Sequence, residues 1–150
     1  TTLFRSWHEV IETNLTSCFN MCRNIIEHMR ERGFGRIINI SSINAQKGQV
    51  GQTNYSAAKA GMLGLTKALA LENAGKGITV NAIAPGYFAT NNTDALRKDA
   101  QRNRDILARI PAGRWGDPSD LGGAAVFLAS KAGAWTTGQN IVVDGGVTAV

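Results

Sequence analysis

The sequence predicts an α/β fold, a parallel sheet wound with helices on both faces. Three observations point to it. Segments with apolar residues at helical spacing alternate with short apolar runs rich in Ile and Val, in the order helix, strand, helix, strand, helix, strand. The apolar runs lack the polar alternation of a sheet with one wet face, as strands covered on both sides require. Glycine and proline punctuate the boundaries, at Gly33 and Gly35, at Gly75 and Gly77, and at Pro85-Gly86.

The first element covers residues 6–30, where Trp7, Val10, Ile11, Leu15, Cys18, Phe19, Cys22, Ile25, Ile26 and Met29 form an apolar stripe and Gly33 supplies a stop. Cys18 and Cys22 stand four residues apart on this helix, a spacing that rarely meets disulfide geometry. His28 completes no metal-ligand set with them, so they read as small buried or half-buried thiols. "RIINIS", residues 36–41, is a strand buried on both faces, and "SINAQKGQVGQ" a loop. A second helix runs over residues 53–73, and "ITVNAIA", residues 78–84, is the next strand. Residues 87–115 read as an inserted lid with one or two short helices. Asp117 is an N-cap, Pro118 suits the first helical position and Asp120 the first turn, so a third helix reaches about residue 130. "NIVVDGG", residues 140–146, is the last strand. Three strands are few for such a sheet, and the "RIINI" edge calls for a partner.

A chain of 150 residues, 43% of them hydrophobic, buries one ordinary core, so residues 1–150 read as a single domain. Its longest apolar run, Ala124 to Ala129, is far short of the ~20 residues a membrane-spanning helix needs. "TTLFRSWHEV" has no basic stretch followed by an apolar core, so no secretory signal is expected and a cytoplasmic location is. The chain does not begin with Met and reads as a fragment. Net charge is +5, of which residues 87–115 carry +3 through Arg97, Lys98, Arg102, Arg104, Arg109 and Arg114 against Asp94, Asp99 and Asp105. Without aromatic and basic residues interleaved on a strand, that charge makes no case for nucleic acid. No membrane partner is expected either.

The stretch "TNYSAAKAG" puts Tyr55 and Lys59 one above the other on a helix. A phenol ionises near pH 10, so its use as an acid or base near neutrality calls for a neighbouring charge that favours the phenolate; an ammonium is such a charge. Ser42 falls at the carboxyl end of a strand, where open α/β sheets bind ligands. Its hydroxyl there can hydrogen-bond a substrate oxygen.

"NISS", then "YSAAK", "ITVNAIAPG" and "VDGG", resemble the short-chain dehydrogenase/reductase family over nearly the whole chain. The resemblance implies the C-terminal part of a Rossmann-like fold and an NADP- or NAD-dependent oxidoreductase, with NADPH favoured. It makes Tyr55 the catalytic acid or base and lets Lys59 favour its phenolate and hold the nicotinamide ribose. Ser42 positions the carbonyl, and Asn14, in "ETNL", supports a water-mediated proton relay. Pro85, Gly86, Phe88 and Thr90 match the stretch beside the nicotinamide, although the position of Phe88 often carries a smaller aliphatic residue. The family's glycine-rich pyrophosphate turn has no counterpart in residues 1–150, so the dinucleotide-binding N-terminal part is expected to be absent and the chain alone inactive.

"INAQKGQVGQTNYS" is most similar to acetoacetyl-CoA and 3-oxoacyl reductases, which implies that Gln49, Gln52 and Tyr87 line an acyl site. Residues 88–130 are more similar to sugar-acid dehydrogenases of the deoxygluconate type. The expected reaction is reduction of a 3-oxoacyl carbonyl, with the sugar acid or a non-catalytic assembly module as alternatives, and the expected substrate is a small anionic carbonyl compound. Ala57, Gly61, Gly64 and Ala68 give the second helix a stripe of small residues. Each mid-helix glycine costs ~1 kcal/mol relative to alanine, which close helix packing offsets. By resemblance that packing is a subunit interface of a homodimer or homotetramer.

Overall fold

The computed structural model describes residues 6–149. The first helical region is broken into three parts: α1 (Trp7–Ile11), a π turn (Glu12–Thr16) and α2 (Ser17–Arg32). It ends at Gly33, whose φ of 64° places it in the left-handed region, while the N–H groups of Gly33 and Phe34 return to the carbonyls of Arg30 and Met29. The strand β1 (Gly35–Ile40) follows, then a short α3 (Asn44–Lys47) where a loop was expected, and the long α4 (Thr53–Asn73). α3 forms because the Ser42 hydroxyl oxygen accepts the Asn44 N–H at 3.1 Å, starting a helical turn. After β2 (Ile78–Pro85) come the lid helices α5 (Asp94–Lys98) and α6 (Ala100–Leu107), then α7 (Gly122–Ala129) and β3 (Asn140–Val143).

Asp117 caps as its position predicts, accepting the Ser119 N–H, and Asp120 closes the box by accepting the Asp117 N–H at 2.8 Å. The first turn after this cap, Pro118–Leu121, is a 3₁₀ turn that leads into α7 at Gly122.

The sheet is parallel, in the order β1-β2-β3, with Ile37 beside Val80 and Ile83 beside Ile141. α2 and α4 cover the face bearing Ile37, Ile78 and Val80, where Cys22, Ile26 and Ala70 complete a buried cluster. α7 packs across β1 and β2. Since β2 is buried from Ile78 through Ala84, on both faces of its pleat, α7 covers the opposite side. β1 differs from the expectation of double burial. Only alternate residues, Gly35, Ile37 and Asn39, are buried, and Ile40 is 51% exposed. It is an edge strand among the described residues, so nothing flanks its outer side.

The small-residue stripe of α4 divides into a packed part and an exposed part. A methyl group at Gly61 would lie 2.9 Å from Leu15 Cδ2, so this glycine admits the π turn of the chain's own first helix. At Gly64 nothing lies within 4 Å, and Ala57, Ala60, Gly64, Ala68 and Leu71 form an exposed face.

Candidate active site

The carboxyl ends of β1 and β2 stand side by side in the sheet, and the first turns of α4 reach the end of β1 through Lys59. Ser42 follows β1 and is buried. Its oxygen is already accepting the Asn44 N–H, which leaves the hydroxyl hydrogen to donate to a ligand oxygen. The neighbouring Ser41 has a structural task, its hydroxyl donating to the Lys59 carbonyl at 3.0 Å and so pinning α4 to the sheet.

Tyr55 and Lys59 share a face of α4, as their spacing predicts, with Lys59 Nζ 5.6 Å from the centre of the Tyr55 ring. Nζ donates to the Ile40 carbonyl at 2.8 Å, the last residue of β1, which aims the ammonium at the strand end beside Ser42. Burial pushes the Lys59 ammonium below the ordinary lysine value, opposed by the charge available at Cys18.

That thiol belongs to a buried polar network. Cys18 and Cys22 are free and both donate to Asn39 Oδ1, at 3.3 and 3.9 Å, while Asn39 Nδ2 donates to Thr66 Oγ1 at 2.9 Å. A hydrogen bond from Cys22 lowers the pKa of Cys18, with burial opposing and Lys59 assisting, and Cys22 is raised in turn. The bland reading of the thiols as small packed side chains holds, with the addition that Cys18 lies within electrostatic reach of Lys59.

Asn14 sits inside the π turn, a helix irregularity that recurs at functional sites. Its Nδ2 donates back to the Val10 carbonyl at 3.0 Å, so the side chain supports the widened turn. Its neighbour Leu15 meets α4 at Gly61.

Pro85 ends β2, and the Gly86 N–H donates to the Val143 carbonyl at 2.9 Å. A Cβ at Gly86 would lie 2.6 Å from Asp144 Cβ and 2.7 Å from its Cα, so glycine is what lets β2 and the end of β3 approach. Phe88 is buried with its ring against Gly116 and lines a 230 Å³ cavity with Tyr87, Arg114, Asp120 and Asp144. Thr90 is exposed at the start of a 3₁₀ turn, its N–H donating to Thr93 Oγ1 at 3.0 Å.

Gln49, Gln52 and Tyr87 line one open cleft of 390 Å³ together with Asn44 and with Leu96, Arg102, Asp105, Ile106 and Arg109 of the lid. Asn44 joins the cleft to Ser42. Reasoning from sequence did not single out Asn44, though a serine two residues upstream of an asparagine is a turn signal that could have found it. The lid is anchored by Trp115, whose Nε1 donates to Asn103 Oδ1 at 2.7 Å and whose ring meets Tyr87 edge to face at 5.9 Å. Arg114 grips Asp120 through both terminal nitrogens, at 2.7 and 3.2 Å.

Among the described residues no cluster of His, Cys, Asp and Glu could hold a metal, and no helix is long and apolar enough to cross a membrane.

The chain has clear relatives among known proteins. A family model described as enoyl-(acyl carrier protein) reductase matches residues 2–148. An acetoacetyl-CoA reductase of Rhizobium meliloti is 57% identical over 140 residues, covering 93% of this chain and 58% of that protein. A 2-dehydro-3-deoxy-D-gluconate 5-dehydrogenase of Bacillus subtilis is 50% identical over 141 residues, covering 94% of this chain and 56% of that one. The crystal structure of a gluconate 5-dehydrogenase from Burkholderia cenocepacia, in complex with NADP and tartrate, superposes with a TM-score of 0.93 at 41% identity, over 96% of this chain and 56% of that one. The chain thus spans 56 to 58% of the length of these relatives.

Proposed function

This chain belongs to the short-chain dehydrogenase/reductase family, and on that premise we propose that it forms the C-terminal catalytic part of an NAD(P)-dependent oxidoreductase that reduces a carbonyl group. The observation that carries the proposal is the pairing of Lys59 with Tyr55 beside a Ser42 hydroxyl that keeps a hydrogen to donate. In this reading Ser42 donates to the substrate carbonyl oxygen and Tyr55 passes it a proton. Lys59 stabilises the phenolate that remains. Asn14 supports the relay that returns a proton to Tyr55.

When bound, the reduced nicotinamide supplies the hydride. The donor set of the crevice fits the nicotinamide half of that cofactor. Lys59 Nζ has one N–H on the Ile40 carbonyl and keeps two for ribose hydroxyls. Pro85 and Gly86 stand at the carboxyl end of β2, and Phe88 and Thr90 follow in the segment beyond it. In the proposal the pyrophosphate cradle comes from chain outside these 150 residues, and residues 87–115 act as the substrate lid. NADP is favoured over NAD because the Burkholderia relative was crystallised with NADP.

The best reading of the substrate is a 3-oxoacyl thioester of the acetoacetyl-CoA type, supported by the 57% identity with an acetoacetyl-CoA reductase and by Gln49, Gln52 and Tyr87 in one cleft. A sugar acid is the second reading, supported by the gluconate-type relatives. Side-by-side NADPH oxidation with acetoacetyl-CoA and a keto-deoxygluconate by the full-length enzyme distinguishes them; turnover of neither would refute both and leave the assembly-module reading. The exposed face of α4 is proposed to pair with a second copy in a dimer or tetramer; an unchanged oligomeric state in Gly64→Leu would refute this. A cytoplasmic location goes with the proposed cofactor chemistry.

A further inference from the structure

We infer that Arg109, assisted by Arg102, determines specificity by binding an anionic oxygen that the substrate carries away from its reacting carbonyl. The inference rests on the proposed carbonyl reduction and deepens it.

The polar atoms around the 390 Å³ cleft divide into those already bonded within the protein and those left for a ligand. Asn44 Nδ2 occupies Gln52 Oε1 at 2.8 Å, and Lys47 Nζ occupies Gln49 Oε1 at 3.0 Å. Both glutamines are thereby turned so that their amide donors remain for a ligand. The single carboxylate of the lining, Asp105, has Oδ1 taken by Gln101 Nε2 at 2.8 Å. Asp105 keeps its charge and its Oδ2, but against Arg102 and Arg109 the lining is net positive and offers hydrogen-bond donors in excess, which suits an electron-rich partner.

The lid cations divide in the same way. Arg97 and Lys98 pair with Asp94, Arg114 pairs with Asp120, and Arg104 bonds Gln101 Oε1 at 2.7 Å. Arg102 reaches Asp99 only through Nε at 3.9 Å, which leaves its terminal nitrogens uncommitted. Arg109 has neither an ion pair nor a side-chain hydrogen bond among the described residues, although it lines the cleft. A planar guanidinium with no partner among the described residues is a ready bidentate donor to a carboxylate or phosphate. Leu96 and Ile106 line the same cleft, and Arg109 is exposed, so its guanidinium is accessible to an entering ligand. Ser42, joined to the cleft wall through Asn44, fixes where the carbonyl sits, so the acid group lies on the lid side.

The shared ligand chemistry is an oxyanion, either the carboxylate of a small keto acid or a phosphate of an acyl-thioester carrier. Wild-type full-length enzyme, Arg109→Gln and Arg109→Lys are compared with NADPH and three substrates: neutral ethyl acetoacetate, a keto-deoxygluconate and acetoacetyl-CoA. Arg109→Gln is expected to raise KM about tenfold for an anionic substrate, with kcat within twofold and ethyl acetoacetate unaffected, and Arg109→Lys recovers part of the loss. A rise confined to the keto acid identifies a carboxylate, and one confined to acetoacetyl-CoA a phosphate. An equal rise for the neutral ester, or no rise for either anion, overturns the inference while leaving carbonyl reduction intact. A wild-type enzyme that reduces none of the three overturns the reading beneath it.

Discussion

Replacing Lys59 by methionine isolates the electrostatic part of the proposed chemistry. Nζ lies 5.6 Å from the centre of the Tyr55 ring, and for a charge separation of about 6 Å at an effective dielectric constant of ~20 an ammonium and a phenolate attract by about 3 kcal/mol. If that attraction is felt when the proton leaves Tyr55, its loss lowers kcat by a factor of about 10². The assay is NADPH oxidation by the full-length enzyme at saturating cofactor and substrate, so that weaker ribose binding does not enter. A kcat within threefold of wild type would refute the assignment. Stability supplies the control. Burial depresses the folded-state pKa of Lys59, so the unfolded chain binds more protons between that value and the ordinary lysine value of 10.5. Wild-type stability therefore rises with pH through that window. The variant lacks this rise, and at neutral pH its loss of activity is not accompanied by unfolding.

Two further perturbations test the frame that holds the site. Gly86→Ala drives a methyl group against the Asp144 backbone, 2.7 Å from Cα, which cannot swing aside as a side-chain tip could. It is expected to cost about 2 kcal/mol and lower Tm by about 5 °C, and an unchanged Tm would disprove the close approach. Asp144 accepts hydrogen bonds from the Thr148 hydroxyl and from the N–H groups of Gly146 and Thr148, and although burial opposes them they hold its carboxyl below the usual aspartate value. A depressed acid stabilises the fold above its unfolded-state pKa and loses that contribution as pH falls through the folded value. Asp144→Ala is therefore expected to cost about 2 kcal/mol in denaturant titrations at pH 7, with the difference from wild type narrowing below about pH 4.

Features of this fold governed by neighbours in sequence were legible. Gly33 ends a helix because only the local backbone decides whether a left-handed residue is needed, and Asp117 caps because the N–H groups it receives are two and three residues away. The same holds for Tyr55 and Lys59, whose shared face follows from helix periodicity alone. Features set by distant contacts were not legible. The π turn at Glu12–Thr16 leaves the apolar stripe of the first helix intact and widens one turn where Leu15 meets Gly61 across 46 residues of chain. The glycine stripe looked uniform in the sequence, yet Gly61 is packed against that helix and Gly64 is open, a division only tertiary packing makes. Among six lid cations nothing in the spacing distinguished Arg109; it stands out once the partners of the others are known.

In the proposed chemistry Tyr55 is the group that exchanges a proton with the substrate. Carbonyl reduction by the full-length enzyme carrying Tyr55→Phe, measured beside NADPH binding by the same preparation, tests it most directly. The expected result is that kcat falls by a factor of about 10² to 10⁴ while NADPH binding persists. Reduction within threefold of wild type by a variant that still binds NADPH would contradict it.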